Sequence, residues 1–320
     1  MTAADWRPAA SLSALELRAR LLASVRQYFA EQQVMEVETP VLAAAGVTDV
    51  HLASLHTSIA GRGRYFLQTS PEYAMKRLLA AGARDIYQVS RVFRDGERGA
   101  HHNPEFTLVE WYRHGFDAAA LMDECARLLS RLLPDPRPVE RLTYAEALQR
   151  HAGVDSLAAT LTDLQAAIRR HGVSLGEDTE LDRDACLDLL MSAIVGPQLG
   201  RGRITFVHQY PASQAALARL SPTDPRVAER FEIYVEGIEL ANGFHELANA
   251  AEQRSRFERD AHERHRRGLP RVPADERLLA ALEHGLPECS GVALGFDRVV
   301  MLAAGARSLD EVLAFPIERA

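Results

Sequence analysis

Apolar residues recur at helical spacing near the start of the chain. Leu17, Leu21, Val25 and Phe29 stand four residues apart, which predicts an amphipathic helix over 11–33. Ser70, followed by Pro71, has the order of a helix N-cap and first helical residue. The same kind of pattern predicts further helices over 73–81, 118–133, 250–267, 275–284 and 299–304, and strands over 34–40, 65–69 and 204–210.

Two segments rich in β-branched and aromatic residues, 87–94 and 106–112, are predicted to form antiparallel strands. The polar loop between them is far longer than a hairpin needs, which is typical of a binding loop. Because side chains alternate along a strand, one face of the second strand carries a ring, a carboxylate and a phenol. Its members are Phe106, Leu108, Glu110 and Tyr112. An ordinary solvated hairpin remains the alternative interpretation.

The middle of the chain is predicted to be helical throughout, from 143 to 195. Leu157, Leu161, Leu164 and Ile168 form its clearest apolar stripe. Three prolines within 134–138 end the preceding helix. We interpret 134–200 as a helical insertion that contributes packing rather than chemistry.

A second hairpin is predicted over 231–242, with Glu236 and Gly237 as its two-residue turn. This turn pairs Val235 with Ile238, Tyr234 with Glu239, and Glu232 with Ala241. Glu232 and Glu239 then become diagonal neighbours on one face, close enough to share a cation such as Mg2+. Two surface glutamates without a ligand are the alternative. A bulge near 242–243 would be needed to turn the side chains that follow to this face, namely those of Asn242, Phe244 and Glu246.

Composition is ordinary for a folded chain of 320 residues, with 47% hydrophobic and 25% charged residues. The formal net charge of −7 argues against a protein whose main task is to grip a nucleic-acid backbone. Cys125, Cys186 and Cys289 lie too far apart for a zinc site and favour a reducing compartment. Because we find no apolar signal core and no apolar run of membrane length, we expect a cytoplasmic protein.

Three segments resemble motifs 1, 2 and 3 of class II aminoacyl-tRNA synthetases: 34–40, 91–112 and 291–298. Asn103-Pro-Glu-Phe106, Arg230-Phe-Glu232 and Asn242-Gly-Phe-His-Glu-Leu247 are similar to lysyl-tRNA synthetases in particular. Motif 1 begins near residue 34, which leaves no room for the N-terminal anticodon-binding barrel of those enzymes. The chain therefore resembles the family of elongation factor P–(R)-β-lysine ligases, the truncated paralogues of lysyl-tRNA synthetase.

The resemblance implies an α+β fold with the class II catalytic architecture, a mainly antiparallel sheet flanked by helices. It implies one catalytic domain over 1–320, without an anticodon-binding domain, that forms a homodimer through motif 1. The implied reaction uses ATP and Mg2+ to activate (R)-β-lysine or lysine, and then transfers it to a lysine side chain of elongation factor P. No stable tRNA binding and no membrane association are expected.

The resemblance also implies site residues. Arg94 and Arg298 are the expected catalytic cations on the α- and γ-phosphates, and Phe106 is expected to stack on adenine. The remaining ATP-binding residues would be Asp95, Gly96, Asn103, Glu239, Leu240 and Gly295, and the metal ligands Glu232 and Glu239. The amino-acid pocket would comprise Ser70, Pro71, Glu72, Glu110, Tyr112, Asn242, Phe244, Glu246 and Ala293.

Two positions depart from the family pattern. Motif 2 usually reads Phe-Arg-x-Glu, whereas Gly96 stands here at the Glu position, so either Glu97 or the backbone must supply that contact. Ala293 replaces the glycine that α-lysine synthetases usually carry in motif 3. A stand-alone lysyl-tRNA synthetase and a catalytically silent regulatory paralogue are the rival interpretations.

Overall fold

The computed structural model describes residues 6–173 and 181–320. The helices are α1 (Leu12–Glu31), α2 (Glu72–Ala80), α3 (Ala118–Leu132), α4 (Tyr144–Ala152), α5 (Leu161–Arg170), α6 (Arg183–Leu190), α7 (Ala250–Arg266), α8 (Glu276–Gly285) and α9 (Phe296–Ala303). The strands are β1 (Met35–Glu36), β2 (Leu42–Ala43), β3 (His56–Ile59), β4 (Gly63–Leu67), β5 (Ile86–Phe93), β6 (Glu105–His114), β7 (Val139–Thr143), β8 (Ile204–Pro211), β9 (Val227–Val235), β10 (Ile238–His245) and β11 (Cys289–Gly295).

The chain divides into two compact units. The first comprises Met1–Gly115, Arg127–Pro134 and Leu247–Ala320, and the second Phe116–Ala126 and Asp135–Glu246. The predicted helical insertion over 134–200 falls almost entirely in the second unit. The expectation of one catalytic domain over 1–320 stays a prediction.

In the first unit the strands run in the order β1, β5, β6, β11. β1 is parallel to β5, and the other two pairs are antiparallel. Helix α1 covers one face of this sheet, because the ring of Phe29 stacks on Tyr87 at 4.3 Å and meets Trp111 edge-on at 5.3 Å. The opposite face therefore carries the alternate residues of β5 and β6, among them Glu110.

In the second unit the strands run in the order β10, β9, β8, β7. β7 and β8 are parallel, and the remaining pairs are antiparallel. Helices α4, α5 and α6 bury an apolar cluster that includes Leu148, Leu164 and Leu187, against Tyr210 and Tyr234 of the strands. This packing is the physical reason for the apolar stripes in the middle of the sequence.

The predicted α+β class is confirmed, and most elements lie where the sequence placed them. The helical stretch over 143–195 consists of α4, α5, α6 and a π-helical turn, Met191–Val195, while its residues 174–180 lie outside the described residues. The insertion also contains β7, which the helical interpretation missed. The strand predicted over 34–40 is regular only at Met35–Glu36. Among the residues described, no helix is both long and apolar enough to cross a membrane.

Candidate active site

The register of β5, β6 and β11 places three residues in one row across the face opposite α1. Gln88 of β5 pairs with Glu110 of β6, and Glu110 pairs with Ala293 of β11. Because directly opposite residues share a face, these three side chains project to the same side. Neighbouring rows hold Tyr112 opposite Gly291, and Leu108 opposite Gly295. The face predicted for β6 is therefore confirmed.

The carboxylate of Glu110 is fixed by two hydroxyl groups. Ser70 Oγ donates to Glu110 Oε2 at 2.8 Å, and Tyr112 Oη donates to Glu110 Oε1 at 2.8 Å. Glu110 and Tyr112 are each 2% exposed. Three residues predicted for the amino-acid pocket thus form one connected group around a buried carboxylate. Such a group suits a ligand that carries an ammonium.

Glu72 joins this group through the start of α2. Its backbone N–H donates to Ser70 Oγ at 3.0 Å, and its side chain accepts a bond of 2.6 Å from Lys76 Nζ. Pro71 occupies the N-cap position, so α2 begins at Glu72, one residue later than the sequence predicted when it placed the N-cap at Ser70 and the first helical residue at Pro71. Lys76 is 1% exposed and was missed by the sequence analysis. Its four-residue spacing from Glu72 was the available signal.

Arg94 begins the loop after β5 and lies beside Phe106. Its guanidinium carbon is 5.0 Å from the centre of the Phe106 ring, and Nη1 lies 3.5 Å from Glu97 Oε1. Its Nε is buried and has no hydrogen-bond partner among residues 6–173 and 181–320. The side chain is therefore incompletely satisfied by the protein, as expected of a residue that binds an anion.

The unusual residue Gly96 has a backbone reason. Its φ is +76°, a conformation that L side chains rarely adopt, and its N–H donates to Asp95 Oδ1 at 2.9 Å. A glutamate at this position would strain the loop, while the neighbouring Glu97 supplies the carboxylate that meets Arg94. The departure from the family pattern is thus tied to the shape of the loop.

Asn103 and Arg298 are engaged with the rest of the first unit. Asn103 Nδ2 donates to the carbonyl of Glu105 at 2.6 Å, and its Oδ1 accepts the N–H of Ile317 at 3.1 Å. Both polar atoms of Asn103 thus have partners within the chain, and its role toward ATP stays a prediction. Arg298 Nε donates to the carbonyl of His101 at 3.2 Å, and Nη2 lies 2.9 Å from His102 Nε2. Burial and the nearby charge of Arg298 lower the pKa of His102.

The second hairpin contains a bulge, but not where the sequence placed it. Val235 pairs with Ile238 and Tyr234 with Glu239 as predicted, whereas Glu232 faces Asn242 and not Ala241. The register shifts between Glu239 and Ala241, so Leu240 is the extra residue. The bulge predicted near 242–243 therefore lies two residues earlier.

This bulge brings the predicted residues of β9 and β10 to one face. Glu239, Asn242 and Phe244 stand opposite Tyr234, Glu232 and Arg230. Arg230 Nη2 donates to Glu232 Oε1 at 2.6 Å and Nε donates to Asn242 Oδ1 at 3.2 Å, which links the two strands. Tyr234 Oη donates to Glu232 Oε2 at 2.7 Å. Burial, together with the charges of Glu232 and Glu239, raises the pKa of Tyr234 well above its ordinary value.

The remaining predicted residues of the second unit are mostly buried. Leu240 is 2% exposed and Glu246 is 4% exposed. Phe244 packs against a small apolar cluster of Ala215, Ala218 and Ala228. In the part of the chain that the structure describes, no group of three or more His, Cys, Asp or Glu side chains is arranged to hold a metal ion. The prediction that Glu232 and Glu239 bind a metal therefore concerns these two carboxylates alone, and it stays a prediction.

Comparison with known proteins accounts for this arrangement. Residues 2–319 match the family "tRNA synthetases class II (D, K and N)". The chain belongs to this family. It is also 52% identical to proteins named elongation factor P–(R)-β-lysine ligase from Klebsiella pneumoniae (strain 342), Salmonella dublin and Salmonella agona (strain SL483). In each case the similarity covers 99% of this chain and 99% of the relative. The resemblance noted from the three motifs is confirmed.

Proposed function

We propose that this protein activates (R)-β-lysine, or lysine, with ATP and attaches it to a lysine side chain of elongation factor P. The identity of 52% over nearly the whole length of relatives with that printed name carries the proposal. The buried Glu110 group supports it chemically, because a carboxylate fixed by Ser70 and Tyr112 suits the ammonium of a lysine-like substrate.

The reaction proceeds in two steps. A carboxylate oxygen of the amino acid attacks the α-phosphorus of ATP, and the bond from that phosphorus to the pyrophosphate oxygen breaks. The amine of the acceptor lysine then attacks the acyl carbon, loses a proton, and AMP leaves with the electrons of the acyl C–O bond. We assign Arg94 and Arg298 to the phosphates and Phe106 to the adenine, so that the protein acts by positioning and by charge stabilisation.

Further assignments follow the same scheme. We assign five further residues to ATP: Asp95, Gly96, Asn103, Leu240 and Gly295. We assign nine residues to the amino acid: Ser70, Pro71, Glu72, Glu110, Tyr112, Asn242, Phe244, Glu246 and Ala293.

Mg2+ fits Glu232 and Glu239 as one hard cation between two carboxylates and phosphate oxygens. Both oxygens of Glu232 already accept hydrogen bonds, from Arg230 and Tyr234, and each keeps lone pairs for a metal. When bound, the ion would neutralise charge on the pyrophosphate. Because no third His, Cys, Asp or Glu within residues 6–173 and 181–320 is arranged with these two carboxylates to hold a metal, the ion would be held largely by its substrate.

The acceptor decides between the proposed reaction and its rivals. Purified protein with ATP, Mg2+, (R)-β-lysine and elongation factor P should increase the mass of the factor by one lysyl unit. Lysine tRNA in the same mixture should remain uncharged, because a chain of net charge −7 offers little general attraction for a nucleic acid. Charging of tRNA without modification of the factor would instead identify a lysyl-tRNA synthetase, and neither product would indicate a silent paralogue.

We also propose a homodimer and a cytoplasmic location. Apolar side chains near β1 and β2 are exposed, with Met35 at 53%, Val41 at 39% and Leu42 at 37%, and β1 is a terminal strand of its sheet. Such a surface favours a second subunit. Cys125, Cys186 and Cys289 are buried, and their wide spacing along the chain suits a reducing compartment better than a disulfide framework. Light scattering of the purified protein tests the dimer.

A further inference from the structure

Gln88 lies in the row that contains Glu110, although no motif drew attention to it. It pairs directly with Glu110 in the register of β5 and β6, on the face opposite α1. Its side chain is 4% exposed. Its neighbour across the row, Glu110, is the carboxylate that Ser70 and Tyr112 hold in place.

The amide oxygen of Gln88 is buried and has no hydrogen-bond partner among the described residues. Buried polar atoms in folded proteins are almost always paired, and an unpaired one lowers the stability of the fold. A methionine would fill the same space without leaving an oxygen unpaired, so this atom gives the fold no hydrogen bond that an apolar side chain would lack. The oxygen is therefore available to a group that does not belong to the chain.

The chemistry of the row restricts what that group can be. Gln88 supplies a neutral acceptor in the same row as the carboxylate of Glu110, whose two oxygens accept bonds from Ser70 and Tyr112. A ligand that meets both residues must donate at least two hydrogen bonds, and a positive charge on it strengthens a hydrogen bond to a carboxylate. An alkylammonium meets these conditions, because it has three N–H donors and no acceptor.

We propose that Gln88 is a specificity-determining residue whose amide oxygen accepts a hydrogen bond from the substrate ammonium that Glu110 binds. This inference rests on the proposed function for the identity of the substrate, (R)-β-lysine or lysine. A neutral acceptor adds a directed contact without placing a further buried carboxylate beside Glu110, where a second negative charge would be unfavourable.

The test measures ligand affinity and stability separately. Gln88→Met removes the acceptor at nearly constant volume, and Gln88→Glu keeps an acceptor while adding a charge beside Glu110. Calorimetric titration with (R)-β-lysine in the absence of ATP gives Kd without any contribution from adenylate formation. Thermal melting without ligand reports the fold.

Gln88→Met should raise the Kd by about tenfold, as the loss of one hydrogen bond to a charged group implies, without lowering the melting temperature. Gln88→Glu should bind no more than threefold more weakly than the wild type but melt at a lower temperature. Gln88→Met should thus be the weaker binder and Gln88→Glu the less stable protein. A glutamine that served only the fold would not give this combination. Gln253 is the matched control, because it is a buried glutamine of α7 whose Nε2 has no partner within the described residues. Gln253→Met should leave Kd within twofold.

Unchanged affinity in Gln88→Met, or an equal loss in Gln253→Met, would overturn the inference. So would a Gln88→Met protein that melts well below the wild type or does not fold, because the amide would then serve the fold. A wild-type protein that binds neither (R)-β-lysine nor lysine would refute this inference and the proposed function together. Binding that depends on Gln88 in a protein that leaves elongation factor P unmodified would refute only the proposed function.

Discussion

The carboxylate of Asp297 accepts the backbone N–H of Thr107 at 2.8 Å, which ties motif 3 to motif 2. Arg18 of α1 completes the contact, since it forms an ion pair with Asp297 and donates to Thr107 Oγ1 at 2.8 Å. Thr107 follows Phe106, and Asp297 precedes Arg298. One buried carboxylate thus fixes the backbone beside two residues that we assign to ATP.

Loss of this carboxylate should destabilise the protein strongly. Asp297→Asn leaves Arg18, whose side chain is 14% exposed, without its anion, and breaking such a pair costs about 3 kcal/mol. Urea denaturation measures the free energy of unfolding. Arg254→Gln is the control, because its pair with Glu276 is exposed to solvent and contributes little to stability. Similar losses in both variants would contradict the prediction.

Arg94 should be essential for activation of the amino acid. Arg94→Ala removes a charge from the transition state and should reduce ATP–pyrophosphate exchange by on the order of 10²-fold, while the far-UV spectrum stays unchanged. Arg91→Ala should retain nearly full exchange, because the 51% exposed Arg91 side chain lies on the other face of the strand, near Glu105. Near-normal exchange in Arg94→Ala would remove this residue from the mechanism.

Glu239 should set the requirement for Mg2+. Glu239→Gln replaces an anionic ligand with a neutral one and should raise the Mg2+ concentration needed for half-maximal exchange. The same shift should appear in the Mg2+-dependent thermal stabilisation by a non-hydrolysable ATP analogue. Glu236→Gln, in the turn of the same hairpin and paired with Arg137, should leave both titrations unchanged. Identical curves for Glu239→Gln and the wild type would exclude this ligand.

Ala293 should influence the choice between the two lysine isomers. Its methyl group lies in the row of Glu110, so Ala293→Gly enlarges the space beside the bound amino acid. The variant should use α-lysine better relative to (R)-β-lysine, by the roughly 1–3 kcal/mol that one methyl is worth. Measuring kcat/KM for both isomers cancels any general loss of stability. A ratio within twofold of the wild type would place the selectivity elsewhere.

His102 should make stability fall in mild acid. Burial and Arg298 lower its pKa in the folded protein below the ordinary 6.5, so the unfolded chain takes up the proton first. The loss of folding stability caused by His102 is absent above pH 6.5 and grows as the pH falls toward the lowered pKa of the folded protein. His102→Gln should therefore lose less melting temperature than the wild type between pH 7 and pH 5. The exposed His284→Gln controls for removal of an imidazole, and parallel curves for His102→Gln would contradict the assignment.

The first hairpin could be predicted because alternation along 106–112 fixes which side chains share a face. The same reasoning could have found Gln88, since the register places it opposite Glu110, but a polar residue in a strand has no mark of burial. The burial of Lys76 was not predicted for a related reason. Its spacing from Glu72 predicts a helical ion pair, which is usually exposed, and only the packing around α2 buries it.

In the second hairpin, the local sequence predicts the turn but not the position of the bulge. The turn at 236–237 followed from Gly237, whose φ is +77°. The site of the bulge did not follow, because nothing in Leu240 distinguishes an unpaired strand residue from a paired one. Gly243 suggested a bulge, yet it lacks a side chain for a different reason: a Cβ there would collide with the ring of Phe231.

The extra residue at Leu240 lets Glu239 and Asn242 share a face of β10 although three positions separate them. A strand one residue shorter between Glu239 and Asn242 would have plain alternation and would still place Asn242 opposite Glu232 and Phe244 opposite Arg230. An in-frame loss of the Leu240 codon would therefore remove the bulge and keep these pairs, whereas a loss of one residue between Asn242 and Phe244 would turn Phe244 to the reverse side. An alignment with a relative that lacks the bulge would need a one-residue gap at this point to match the correct side chains.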